Sequence, residues 1–406
     1  MAKDTENSGL RDYRLRCGRI VTGTEDQTDQ VITVRGERIV GVESPRAADD
    51  VATIELEDLT ALPGFVDVHV HGGGGFNLHT TDSEEIRAYA RWAPSSGTTA
   101  FLIGTVGVPG DMPRDHLRAA TEAVDQPGSG AEALGIHLEG PYINVLRRGA
   151  HDPSWLRLPA EAETEQLLEL ARGHLKLITI APELPGAATM IRRLVAAGVT
   201  VSIGHTDATY EQARDAISLG ITHATHCCNA MRPFHHREPG ALGAIVEAAG
   251  LRGEIIGDGV HVHPAVMRTL IGALGPDRTV VVTDALSAAG LPNASFTFGG
   301  QTARVIDGVA RLADGTITGS VLTMAQGLRN LVRMTDVPLL HAARMLATNP
   351  AQSAGMADRK GQLAVGYDAD LLLFDKNLQL QATICRGHLA YVTDVSRERF
   401  VALGRP

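Results

Sequence analysis

The chain is short of aromatic residues, which fill 4% of its 406 positions, and it has only four cysteines. A core with so little Phe, Tyr and Trp must be largely aliphatic, and 44 glycines point to tight turns. Cys17, Cys227, Cys228 and Cys385 show no CxxC pairing, which excludes a dense disulfide framework and a cysteine-built zinc site. No apolar run approaches the ~18 residues needed to span a bilayer. The polar start Met-Ala-Lys-Asp-Thr-Glu-Asn-Ser lacks the apolar segment of a secretory signal, so a cytoplasmic protein is expected. Long basic runs are absent too. Lys and Arg number 37 against 47 Asp and Glu, a net charge of −10, which argues against nucleic acid and membrane surfaces as partners. A phosphorylated small molecule stays compatible, because one local cluster of donors outweighs a mildly acidic surface.

What is present has a clear order. Segment 1–10 reads as a loose tail. Short alternating stretches follow at Leu15–Val21, Gln30–Arg35, Arg38–Val42 and Val51–Leu56, and the C-terminal end reads alike at 361–366, 369–375, 381–386 and 388–393. The two ends are expected to pair into one small β-sandwich domain, from 1–59 and 351–406. Between them, over 60–350, strand and helix patterns alternate. Strand candidates are Gly64–His71, Thr99–Thr105, Ala133–Glu139, Leu175–Pro182, Thr200–His205, Thr222–Cys227, Gly253–Gly257 and Thr279–Asp284. Amphipathic stretches such as Ser83–Ala93, Ala187–Ala197, Tyr210–Leu219 and Pro264–Leu274 lie between them. This is the pattern of an α/β protein with a (β/α)₈ TIM-like barrel. A doubly wound sheet fits less well, because Gly72–Gly75 lacks the GxGxxG spacing.

His69 and His71 close an apolar run, and side chains two apart on a strand face the same way. The glycines after them leave room for a ligand or a backbone to approach. Glu139, His205, His226 and Asp284 stand at the ends of further strand candidates, which a barrel gathers on one rim. His69, His71, Glu139, His205 and His226 offer four imidazoles and one carboxylate, enough for one divalent ion with open positions or for two sharing Glu139. A divalent ion lowers the pKa of bound water to about 7, and Asp284 is placed to move the proton. The constellation describes metal-assisted hydrolysis. It does not give the bond that is cut.

Pro63–Gly72 (PGFVDVHVHG), His137–Asn144 (HLEGPYIN), Ser202–Tyr210 (SIGHTDATY), Thr225–Met231 (THCCNAM), Arg237–Gly240 (REPG), Asp258–His261 (DGVH) and Val282–Ala285 (VTDA) resemble the amidohydrolase superfamily. Within it they resemble the N-acetylglucosamine-6-phosphate deacetylase family, over nearly the whole chain. The resemblance implies hydrolysis of the acetamide of N-acetylglucosamine 6-phosphate, with acetate and glucosamine 6-phosphate as products. It implies Glu139, His205 and His226 as ligands of the principal metal and Asp284 as general base and acid. It further implies contacts of Asn229 and Ala230 with the sugar phosphate, and of Arg237 and His261 with its oxygens. Ala150 and His151 match the segment touching the sugar, and Ile317, Thr318 and Gly319 the one closing over the acetamido group. A homodimer sharing the phosphate pocket is implied as well. Zinc is the expected metal, with iron, manganese or cobalt as other candidates.

Some relatives replace the two HxH histidines by amides; this chain keeps His69 and His71, which permits a second ion. Cys227 and Cys228 read as small buried hydrophobes. Lys176 lies too early in its strand to bridge metals. His223 reads as core or as a support for the metal ligands, while His235, His236 and His263 read as loop residues near the pocket. His79, His116, His174, His341 and His388 show no partner pattern. Two other functions remain open: the same chemistry on N-acetylgalactosamine 6-phosphate or another amide, and a non-catalytic sugar-phosphate-binding barrel.

Overall fold

Eight parallel strands circle the molecule in chain order: Phe65–Asp67, Thr98–Val106, Glu132–Glu139, Leu175–Ile180, Thr200–Ile203, His223–Ala224, Arg252–Ile256 and Thr279–Val282. A helix follows each of them: Ser83–Trp92, Arg114–Asp125, Glu161–Ala171, Ala187–Ala196, Tyr210–Ile217, Gly240–Glu247, Pro264–Leu274 and Met324–Thr335. This computed structural model describes residues 12–45, 51–292, 295–298 and 301–404; the expected tail at 1–10 lies outside the described residues. Phe101, Ile103, Ile136, Ile178, Val201 and Val281 pack outward on the helices. The alternate residues Ala100, Leu102, Leu177, Ile256 and Val282 form a separate apolar cluster. Both strand faces are therefore buried, as a closed parallel barrel requires. The circle closes at its rim, where Asp284 N–H donates to His69 O and His71 N–H to Ala285 O, both at 2.8 Å.

Several strands stop short of their expected ends. The fifth, sixth and eighth end two residues before His205, His226 and Asp284, because these three adopt left-handed φ of 47°, 26° and 48° and turn out of the ladder. The first ends at Asp67, so His69 and His71 lie in the bent, irregular segment just beyond it. Gly72–Gly74 make room mainly for protein. A Cβ on Gly73 would fall 2.4 Å from the Trp92 ring, one on Gly74 2.5 Å from it, and one on Gly72 2.3 Å from Phe76 O.

The two chain ends build one continuous seven-stranded sheet from Asp12–Val21, Asp26–Arg35, Arg38–Glu43, Thr53–Pro63, Leu371–Phe374, Leu380–Cys385 and His388–Val392. Leu15, Ile32, Ile39, Leu56, Leu371, Leu373 and Ile384 share its core. The segment 361–366, expected as a strand, is a turn-rich loop instead. There Gly361 has φ +85°, and a Cβ on it would meet Ala347 O at 2.6 Å. A small antiparallel sheet (Ser295–Phe298, Gln301–Ile306, Val309–Leu312) follows the eighth strand and was not expected. No helix among the described residues is long and apolar enough to cross a membrane.

A buried ionic cluster fastens the C-terminal loop to the foot of the barrel. Lys360, 2% exposed, lies 2.8 Å from Glu132, 2.8 Å from Asp368 and 2.7 Å from Asp370, while Arg359 bonds Glu132 and Asp368. Burial raises the pKa of Glu132, but Arg359 and Lys360 outweigh it and hold the group at about 2. Lys360→Ala leaves the buried Asp370 without its cation, while Arg359 still pairs Glu132 and Asp368, and a loss of about 3–5 kcal/mol is expected from urea denaturation. The depressed Glu132 contributes stability in full above pH 4.5, lost as pH falls towards about 2. Urea midpoints followed from pH 6 to pH 2 should show an acid-side decline that is smaller in Glu132→Gln.

Candidate metal and catalytic site

Glu139 is the last residue of the third strand and is buried at the centre of the barrel mouth. Its Oε1 lies 3.0 Å from His205 Nε2, 3.1 Å from His226 Nε2 and 3.3 Å from His69 Nε2. Its Oε2 lies 3.2 Å from His71 Nε2 and 3.4 Å from His151 Nε2. Asp284 Oδ1 stands 3.4 Å from His71 Nε2 and 3.6 Å from His69 Nε2. Burial alone would raise both carboxyl pKa values. The charge of His69 and bonds from the surrounding imidazoles outweigh it, so Glu139 falls well below its ordinary value and Asp284 is lowered as well.

Hydrogen bonds on the far side of the rings decide what the near side offers. His205 Nδ1 donates to Arg147 O at 2.8 Å, which leaves a lone pair on Nε2. His226 Nε2 faces that nitrogen at 3.0 Å, so two imidazole nitrogens converge on one point beside a carboxylate. His69 Nε2 is buried with no hydrogen-bond partner among the described residues. Such a donor set suits a divalent cation. Three overlapping groups have ligand atoms close enough to hold one: His69, His71 and Asp284; His69, Glu139 and His226; and Glu139, His151 and His205. His151, expected to touch sugar, therefore also faces the metal-ligand cluster.

Sequence reasoning missed the residues beneath this layer. Glu254, in the seventh strand, is fully buried and binds His69, His223 and the His226 amide. His137 donates from Nδ1 to Val68 O (3.0 Å) and accepts from Thr179 Oγ1 at Nε2 (2.9 Å). Thr179, Thr225 and Ser202 continue the hydroxyl network. Burial and the charge of His69 drive the pKa of His137 down to about 3, so it stays neutral. A lone acid or imidazole in an otherwise apolar strand was the available signal, since such groups are buried only when paired.

Above the cluster opens a cleft of about 230 Å³. Every candidate residue lines it except His69, which lies beneath, and Arg237, which is exposed on the 233–238 loop. Ala150, His151, Asn229 and Ala230 form one side, and Ile317, Thr318 and Gly319, which follow the small antiparallel sheet, form another. Thr318 Oγ1 is buried and without a hydrogen-bond partner among the described residues. His261 bonds Asp258 at 2.7 Å, and that carboxylate outweighs burial to raise its pKa, which favours the cationic ring. No Lys or Arg of the described residues lines the cleft.

The other histidines and cysteines divide. His223 supports Glu254, as a core position would. His263 caps the helix at Pro264, and His235 and His236 pack on each other in the exposed loop. Lys176 donates to Gly173 O at the barrel foot. His79 does have partners, contrary to expectation: it stacks on His116 at 4.0 Å and binds Thr105 Oγ1. His174 likewise pairs with Asp125. Cys227 is buried as expected, but Cys228 is exposed, because its φ of 77° turns it out of the strand end.

Residues 60–400 match the model of the amidohydrolase family. The N-acetylglucosamine-6-phosphate deacetylase of Bacillus subtilis (strain 168) is 35% identical over 380 residues, 92% of this chain and 96% of that one. The N-acetylgalactosamine-6-phosphate deacetylase of Escherichia coli O157:H7 is 33% identical, over 93% of this chain and 98% of its own. A mutant N-acetyl-D-glucosamine-6-phosphate deacetylase from Mycobacterium smegmatis, solved with N-acetyl-D-glucosamine 6-phosphate, superposes with a TM-score of 0.87 and 36% identity, covering 95% of this chain and all of that one. Fold, buried donor cluster and overall similarity agree: the chain belongs to the amidohydrolase family, in the group that holds the N-acetylglucosamine-6-phosphate deacetylases.

Proposed function

We propose that this protein hydrolyses the acetamide of N-acetyl-D-glucosamine 6-phosphate, giving D-glucosamine 6-phosphate and acetate. The observation that carries this is Asp284, an ionised carboxylate held over a buried cluster of Glu139 and imidazoles in a cleft of ligand size. Glu139, His205 and His226 would hold a divalent ion, with His69 and His71 within reach of another. When bound, it supplies Lewis acidity and a water of lowered pKa. Zinc fits the imidazole-rich set best.

Asp284 takes a proton from the attacking water and delivers it to the departing amine as the C–N bond breaks. His151 and Asn229 orient the sugar, and Thr318 offers its hydroxyl to the acetamido group. The cationic His261 meets the phosphate. A phosphomonoester carries up to two negative charges, and no guanidinium of the described residues lines this cleft. The exposed Arg237 therefore fits a homodimer in which each copy extends its 233–238 loop towards the other's phosphate pocket. A charged sugar phosphate does not cross bilayers unaided, which favours a cytoplasmic enzyme. The division at 1–59, 60–350 and 351–406 accords with a hydrolase barrel supported by a β-domain from both ends.

The relative in Escherichia coli O157:H7 favours one alternative, the galactosamine epimer as substrate. A non-catalytic barrel is disfavoured, because a pure binder has no use for Asp284 placed 3.4 Å from His71.

Acetate release from both N-acetylhexosamine 6-phosphates and from unphosphorylated N-acetylglucosamine tests the assignment. Selectivity for the glucosamine phosphate is expected; equal or greater turnover of the galactosamine phosphate would move the assignment to that epimer, and no turnover of any would remove it. Asp284→Asn should lower kcat by about 10²–10⁴ while leaving the ion on Glu139, His205 and His226 and ligand binding in place. Near-normal turnover would remove Asp284 from its role. Arg237→Ala should chiefly raise KM for the phosphorylated substrate, with kcat little changed, in steady-state kinetics.

A further inference from the structure

Glu254 is the one strongly charged side chain of the seventh strand that faces the site, and it is 0% exposed. A bare carboxylate there would cost several kcal/mol, so its partners define its purpose. Oε2 accepts from His69 Nδ1 at 2.8 Å and from the His226 amide at 2.9 Å; Oε1 accepts from His223 Nε2 at 3.0 Å. His223 is held in turn by Ser353 Oγ at 3.2 Å. The carboxylate is thus fixed on three sides.

The bond to His69 has a chemical consequence. The bond holds one proton on Nδ1, so Nε2, which stands 3.3 Å from Glu139 and 3.6 Å from Asp284, is the ring nitrogen left to exchange its proton for a cation. A carboxylate acceptor also pushes electron density onto the ring and makes Nε2 a stronger ligand. The other half of the site is supported differently. His205 donates to a neutral carbonyl, and His226 Nδ1 has no hydrogen-bond partner among the described residues. Among the ligand histidines described, His69 is thus the one backed by a carboxylate; it reaches both the His69, Glu139 and His226 group and the His69, His71 and Asp284 group, and only the latter lies clear of His205 and His226.

We propose that Glu254 is the positioning residue for a second divalent ion, acting through its bond to Nδ1 of His69. This rests on the hydrolase reading above and adds to it a reason for this chain to hold two ions.

The test is zinc stoichiometry of the purified holoenzyme, by elemental analysis after dialysis against graded zinc buffers, with the visible spectrum of the cobalt-loaded protein as a second readout. The wild type should hold two ions per chain. Glu254→Met removes the acceptor and should weaken the second ion by about 10–100-fold, with the first retained. Glu254→Gln keeps an oxygen that can accept from Nδ1 but loses the charge, so an intermediate loss is expected. A purely structural role would not grade in this way. Wild-type affinity for the second ion in either variant would overturn the proposal. If Glu254→Met does not fold, Glu254→Gln alone decides by the same criterion. A wild type that binds one ion and releases acetate overturns the proposal and leaves the hydrolase reading standing. A wild type that binds no ion and releases no acetate overturns both.

Discussion

The site depends on one buried carboxylate. Glu139 brings His69, His71, His151, His205 and His226 within 3.4 Å of its two oxygens, although these side chains come from four segments of the barrel rim. In a medium of low dielectric such a cluster is tolerable only if the charges compensate. His205 and His226 bring their Nε2 atoms to 3.0 Å from one another, each beside Glu139 Oε1, an approach that one cation would satisfy together with the carboxylate. The geometry is costly for a barrel and useful for a metal centre.

The backbone bears part of that cost. His205, His226 and Asp284 each sit at positive φ, a conformation costing about 1–3 kcal/mol for a residue with a side chain. The turn ends each strand and tips the side chain towards Glu139. Barrel closure uses the same residues, since the amide of Asp284 bonds the carbonyl of His69. Ligand placement and closure of the barrel are thus one structural event. Small residues make it feasible: a Cβ on Gly104 would meet Val70 O at 2.1 Å and His71 Nδ1 at 3.0 Å.

Much of this was legible in the sequence. Periodicity gave the order of the eight strands, and functional residues fell at the ends of that pattern, where a barrel gathers them. The exact strand limits were not legible, because left-handed turns at His205, His226 and Asp284 leave no mark that distinguishes them from one more strand residue. Glu254 was missed for a different reason. Its partners lie 31 and 185 positions away: pairing of the sixth and seventh strands brings His223 to it, and closure of the barrel brings His69. Arg237 was assigned by motif resemblance, whereas its exposed position follows from a loop whose conformation no short motif encodes. The antiparallel sheet at 295–312 interrupts the strand–helix alternation after the eighth strand, so a pattern built on that alternation passed over it.

The most direct test of the dependence on Glu139 is the metal content of Glu139→Gln, measured on folded protein with its thermal transition as a control. An amide cannot supply the charge that holds the imidazoles together, so loss of all tightly bound divalent ion and of acetate release is the expected result, with the fold retained. A Glu139→Gln protein that keeps its full complement of metal would contradict it, and would place the centre of the site on the histidines and Asp284 alone.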